Sequence, residues 1–101
     1  MSVDPKNLTI QNNEAKHRFE THIGDQVAVL EYTLAKGLIV YNHTEVPEAL
    51  EGQGIASRLA KEALDYAKQH ELKVMPLCPY VAAYIRRHPE YRELVRAGFN
   101  V

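Results

Sequence analysis

Three short stretches hold residue types that could do chemistry. In "HTEV", His43 and Glu45 stand two apart, an imidazole and a carboxylate able to take a proton from a reacting group. In "PLCPY", Cys78, the only cysteine of the chain, lies between Pro76 and Pro79. A thiol just ahead of a helix that opens with proline meets the positive end of the helix dipole, which favours the thiolate. Such a thiol could accept an acyl group or return a proton to a departing thiolate. In "EGQGIAS", Gly52 and Gly54 precede an apolar helical pattern. Glycines there let the backbone turn closely and aim amides outward, a seat for an anion such as a pyrophosphate. No Lys-Ser or Lys-Thr follows Gly54, so the Walker pattern is absent, and no acidic residue stands where a dinucleotide fingerprint needs one.

These stretches need elements to bring them together. "RFETHI" alternates apolar and polar residues, "GD" at Gly24 and Asp25 breaks the run, and "QVAVLEYTL" resumes it, which predicts a hairpin. A second turn at "AKG" leads into a strand over 38 to 46, and "NLTIQNN" offers a short first strand. From Gly54 the spacing of Ile55, Leu59, Ala63, Tyr66 and Ala67 predicts a helix over 54 to 70, about 17 residues. A short strand over 72 to 77 follows, then a helix from Pro79 that Pro89 stops, and the tail adds one more helical turn. Strand, helix, strand makes a crossover with parallel strands, so their carboxyl ends share one edge. His43, Glu45, Cys78 and the start of the first helix are expected at that edge, where open α/β sheets bind ligands. Alternation puts His43 and Glu45 on one face of their strand and Thr44 on the other.

The chain of 101 residues, 46% apolar, suits one domain spanning 1–101 with one core. With 12 basic and 13 acidic residues and a net charge of −1, nothing marks nucleic acid as a partner. No apolar run spans a bilayer and "MSVDPKNLTI" lacks a signal-peptide pattern, so a cytoplasmic protein without a membrane partner is expected. One cysteine excludes an internal disulfide. His17 and His22, five apart on one expected strand, point to opposite faces, and no metal is expected.

The run "HTEVPEALEGQGIASRLAKEAL" resembles motif A of the GNAT N-acetyltransferases, a strand, an Arg/Gln-x-x-Gly-x-Gly/Ala turn and a helix that holds coenzyme A pyrophosphate. Gly54 and Ala56 match the last two marked positions, and Glu51 stands where the pattern carries Arg or Gln. With "MPLCPYVAAYIRRHPEY", residues 16 to 96 resemble the minimal branch that includes the short N-acetyltransferase domain-containing proteins. The resemblance implies an α/β (α+β) acyl-CoA N-acyltransferase fold, antiparallel strands followed by a strand-helix-strand-helix unit with splayed parallel strands. It further implies an acetyltransferase whose partners are acetyl-CoA and an amine acceptor. Cys78, His43 and Glu45 would be catalytic. Val46, Gln53, Gly54, Ile55, Ala56, Ser57, Tyr80 and Tyr84 would touch the cofactor, Val46 through an amide at the oxyanion. The helix tyrosine of larger members aligns with Arg87, while Tyr80 and Tyr84 offer hydroxyls earlier. Arg86, Arg87 and His88 read as a solvated helix end, or meet the adenosine phosphate. The family's amino-terminal helices are absent or vestigial, which suits an open acceptor pocket or one completed by a partner subunit, with monomer and weak dimer both open. Two other functions fit the same residues: a coenzyme A-binding module without efficient transfer, and a cysteine–histidine thioesterase or hydrolase with Glu45 orienting His43. Pro79 weakens the last, since it has no amide hydrogen to offer an oxyanion.

Overall fold

The computed structural model describes residues 4–99 and 101; the opening residues read above for a signal-peptide pattern lie partly outside them. Five strands form one sheet in the order β1-β2-β3-β4-β5: β1 Gln11–Asn13, β2 Arg18–Ile23, β3 Gln26–Ala35, β4 Leu38–Glu45 and β5 Lys73–Pro76. The first four pair antiparallel, and β4 pairs parallel with β5 across the crossover helix α1, Ile55–Gln69. A second helix, α2, spans Pro79–Arg87, and a 3-10 turn at Pro89–Leu94 follows it. The chain then returns to the sheet, where Val95 bridges Val74 in parallel and the Arg96 amide donates to the Val74 carbonyl at 2.9 Å.

Cross-strand partners share a face, so the register divides the sheet. Phe19, Ala28, Leu30, Ile39, Tyr41 and Val74 form the inner face, all buried. The apolar stripe of α1 lies over it, with Leu59, Ala63 and Ala67 fully buried. The Tyr41 hydroxyl donates to the Ala63 carbonyl, and Phe19 meets the Tyr66 ring edge-on at 5.4 Å. Burial, with the neighbouring phenols of Tyr66 and Tyr32, pushes the Tyr41 phenol far above its ordinary pKa, so it acts only as a neutral donor. The 3-10 turn docks on the same helix through Tyr91, whose hydroxyl donates to Asp65 Oδ1 at 2.6 Å.

The outer face exposes His22, Glu31, Thr33, His43 and Glu45. Among them lies a buried carboxylate, Glu20, 5% exposed. It accepts from Arg18 Nε at 2.6 Å and Asn13 Nδ2 at 3.2 Å, and meets His22 Nε2 at 3.3 Å. This network ties the short β1 to β2. His17 departs from the strand expected for it: it sits in the turn before β2 with φ +53°, its ring stacked on Tyr32 at 5.8 Å.

Burial alone would raise the Glu20 carboxyl, but hydrogen bonds from Arg18, Asn13 and His22, with the Arg18 charge, hold it below its ordinary value. The ionised carboxylate therefore stabilises the fold in full above the usual glutamate pKa of about 4.3, and that contribution fades as pH falls through the lower folded-state value. Urea midpoints measured from pH 6 down to pH 3 are expected to fall more steeply for the native chain than for Glu20→Gln. Parallel curves would contradict the assignment.

Candidate active site

The parallel ladder runs from Leu38 opposite Lys73 to Tyr41 opposite Pro76 and stops there. The next amide, of Leu77, turns back to the Met75 carbonyl at 3.1 Å, and the Cys78 amide makes the last link, to the Tyr41 carbonyl at 2.9 Å. Beyond that point β4 continues to Glu45 against β3 alone, while β5 leaves for α2. The two strands splay, and the edge of β4 past Tyr41 faces the gap.

A bulge shapes that edge. Glu31 opposes His43, but the next residue of β3, Tyr32, opposes Tyr41, leaving Asn42 as the extra residue. One inserted residue reverses the alternation. Tyr41 and Thr44, three apart, therefore both face inward, and His43 and Glu45 face outward. The partner of Cys78 is accordingly Thr44: its Oγ1 lies 3.2 Å from Cys78 Sγ, with the thiol 1% and Thr44 8% exposed. His43 and Glu45 stand at the same sheet edge on the opposite face, with no hydrogen bond or ion pair from their side chains among the described residues. A cysteine–histidine pair is thus not assembled, because the strand separates its members.

After β4, Pro47 begins a 3-10 turn at Glu48–Leu50, anchored by the buried Leu50. The backbone then turns through Gly52 at φ +79° and Gly54 at φ +80°, conformations that side-chain-bearing residues rarely adopt. Gly54 caps α1 without any side-chain hydrogen bond, and the first helical bond is Arg58 amide to Gly54 carbonyl at 3.1 Å. The amides of Ile55, Ala56 and Ser57 precede the first helical bond and so have no acceptor within the helix, at its positive end. A cavity of about 200 Å³ opens over them, lined also by Val46, Glu51, Gly52 and Tyr80. Six residues singled out as cofactor contacts, Val46, Gly54, Ile55, Ala56, Ser57 and Tyr80, border this one space. Gln53 is half-buried within the turn. Tyr84 lies elsewhere: 6% exposed, its phenol raised by burial, it stacks on the His88 ring at 4.1 Å and borders a separate groove.

The glycine turn and the helix amino terminus border one cavity, and the parallel pair ends beside it. The family model of the GCN5-related N-acetyltransferases matches residues 18–94, a span that takes in every one of these parts. This chain belongs to that family. Among its relatives, Protein NATD1 of Xenopus tropicalis is 30% identical over 92 residues, 87% of this chain and 84% of that protein. Protein NATD1 of Mus musculus and of Homo sapiens are each 31% identical over 85 residues, 81% of this chain and 77% and 75% of theirs. As an N-acetyltransferase domain, the chain combines a five-stranded mixed sheet with helices in the expected α/β arrangement. Among the described residues no cluster of histidine, cysteine or carboxylate side chains could hold a metal, and no helix is long and apolar enough to cross a membrane.

One partner in the site escaped sequence reasoning: Thr44, whose contact with Cys78 depends on the bulge. Glu51, noted above where the motif carries Arg or Gln, is exposed at the mouth of the cavity, and no basic side chain lines the wall. A carboxylate beside an anion seat repels its ligand. Glu51→Gln is expected to tighten coenzyme A binding about two- to five-fold by titration calorimetry, the range of an exposed charge pair. Weaker binding would contradict this placement of the anion.

Proposed function

We propose that the chain binds acetyl-CoA in this cleft and transfers its acetyl group to an amine. The observation that carries the reading is the combination of an uncapped α1 amino terminus, with two left-handed glycines before it, and a parallel pair that opens directly beside it. The fit is good on this chain's own groups. The amides of Ile55 to Ser57 would hold the pyrophosphate. A side chain added at Gly54 would need strained backbone at φ +80° and would stand 3.4 Å from Pro5 Cγ, so glycine keeps that approach open. The free edge of β4 offers backbone groups to an extended amide-bearing arm, as an edge strand does. Coenzyme A supplies an activated thioester; the rest is done by residues.

Transfer needs a deprotonated amine, a stabilised oxyanion and a proton for the departing sulfur. His43 and Cys78 divide the first and last of these between the two faces of β4. His43, exposed on the outer face, takes the proton that the acceptor ammonium loses. The amine nitrogen then attacks the thioester carbonyl carbon, whose oxygen is held by the Val46 amide. The carbon–sulfur bond breaks, and the Cys78 thiol, oriented by Thr44 Oγ1 at 3.2 Å, gives its proton to the coenzyme A sulfur. The proton released by the new amide nitrogen restores the thiol through solvent. Glu45, beside His43 on the outer face, attracts the cationic acceptor. Because that face is exposed, acceptors carried on a protein or peptide suit it.

The test follows coenzyme A release and intact mass with acetyl-CoA and a panel of amines, for the native chain, His43→Ala and Cys78→Ala. Release that requires an amine, falling about a hundred-fold in either variant, is expected, within the usual worth of a positioned proton-transfer group. An acetyl adduct on the native chain that disappears in Cys78→Ala would replace proton donation by a covalent step. Binding without any product would make the chain a coenzyme A-binding module, and no binding would sink the reading.

A further inference from the structure

The end of the sheet opposite the candidate site carries a concavity of its own. The carboxyl ends of β4 and β5 lead to the cleft, whereas Leu38 and Lys73, the first residues of the same two strands, border a pocket of about 240 Å³. The length of β4, eight residues, puts about 25 Å between the two places. Lys36, Lys73 and Arg96 line this pocket with Gly37 and Leu38, and no carboxylate does.

Each cation comes from a different segment: Lys36 from the turn between β3 and β4, Lys73 from the start of β5, and Arg96 from the tail after the 3-10 turn. The backbone locks these segments together. Gly37, at φ +69°, turns the chain from Lys36 into β4, and its carbonyl accepts from the Lys73 amide at 3.0 Å. The Arg96 amide donates to the Val74 carbonyl at 2.9 Å, next to the bridge between Val95 and Val74. Lys73 Nζ donates to the Glu93 carbonyl at 3.1 Å. The side chains of Lys36 and Arg96 have no hydrogen bond or ion pair among the described residues. Glu71 and Glu93, the acids nearest Lys73 and Arg96 in sequence, neither line the pocket nor pair with its cations. Three cations without a carboxylate partner repel one another, and in a chain of net charge −1 their gathering is no by-product of a basic composition.

We propose that this pocket binds a phosphomonoester group, at a site separate from the cofactor cleft. Such a group carries close to two negative charges at neutral pH and three strongly accepting oxygens. Donors from three segments on one short pocket match one compact dianion, whereas a nucleic-acid strand calls for cations set along a groove. The Arg96 guanidinium can give two parallel hydrogen bonds to phosphate oxygens, and the two lysines supply point charges from the other segments. The bound group would fasten the β3–β4 turn, β5 and the tail to one another.

Amide chemical-shift titration of the full chain with inorganic phosphate, at constant ionic strength, tests this. Saturable shifts are expected at Gly37, Leu38, Lys73 and Arg96. In a Lys36→Gln, Arg96→Gln double variant binding is expected to weaken at least about ten-fold, the worth of charge-assisted bonds to phosphate. Both positions are exposed, and unchanged amide shifts along β2 and α1 would show that the variant keeps its fold. Equal affinity in the variant, or shifts confined to residues 54–57 at the cofactor cleft, would overturn the site. Succinate is expected to bind more weakly than phosphate, and equal binding would overturn the choice of a phosphomonoester. A short peptide carrying phosphoserine separates the sources: binding tighter than inorganic phosphate assigns the group to a modified protein, and weaker binding assigns it to free phosphate.

Discussion

The candidate site depends on a parallel pairing that stops early. Opposite Tyr41 the ladder between β4 and β5 ends, because the Leu77 amide turns back to the Met75 carbonyl instead of reaching β4, and the two strands separate. The amide of Cys78 makes one more link to Tyr41, which fixes where β5 turns away, and Pro79 then starts α2 with a backbone angle already suited to a helix. The gap so created runs into the amino terminus of α1. Both strands are held firmly up to that point: Ile39, Tyr41 and Val74 are fully buried beneath α1, and the Tyr41 hydroxyl is tied to the Ala63 carbonyl. A packed sheet below and an open edge above give a cleft bounded by the core on one side and by the end of the parallel ladder on the other.

The bulge at Asn42 is the second constraint, and it decides which side chains face each way. It turns Thr44 toward Cys78 and leaves His43 and Glu45 outside. A proton acceptor and a proton donor on opposite faces of one strand end suit a transfer in which the acceptor arrives from one side and the leaving group departs on the other. A hydrolase would need the histidine beside the cysteine. The arrangement therefore agrees with the family to which the chain belongs and works against a cysteine–histidine triad.

Much of the fold could be read from residue order. Alternation broken at Gly24–Asp25 and near Gly37 marked the hairpins, and both glycines have positive φ. The apolar stripe of α1 and the strand-helix-strand order led to the parallel pair. The glycine turn was legible because only glycine suits its backbone, and Pro79 marked the start of α2 at its observed residue. What could not be read depends on tertiary pairing. Asn42 is neither glycine nor proline, and a bulge there follows from how β3 and β4 align, so alternation separated Thr44 from His43 and Glu45 but did not tell which of the two faces is the inner one. The return of Val95 to the sheet was equally hidden, since "VRAGFNV" carries no strand alternation.

The central claim is that the splayed end of β4 and the uncapped start of α1 form one cofactor cleft. Backbone amide chemical-shift mapping with acetyl-CoA tests it most directly. The account predicts that the largest shifts fall on Val46, Gln53 to Ser57 and Cys78, with the outer-face strand residues Arg18 and His22 little changed. Shifts confined to residues away from this edge, or none at saturating acetyl-CoA, would contradict it.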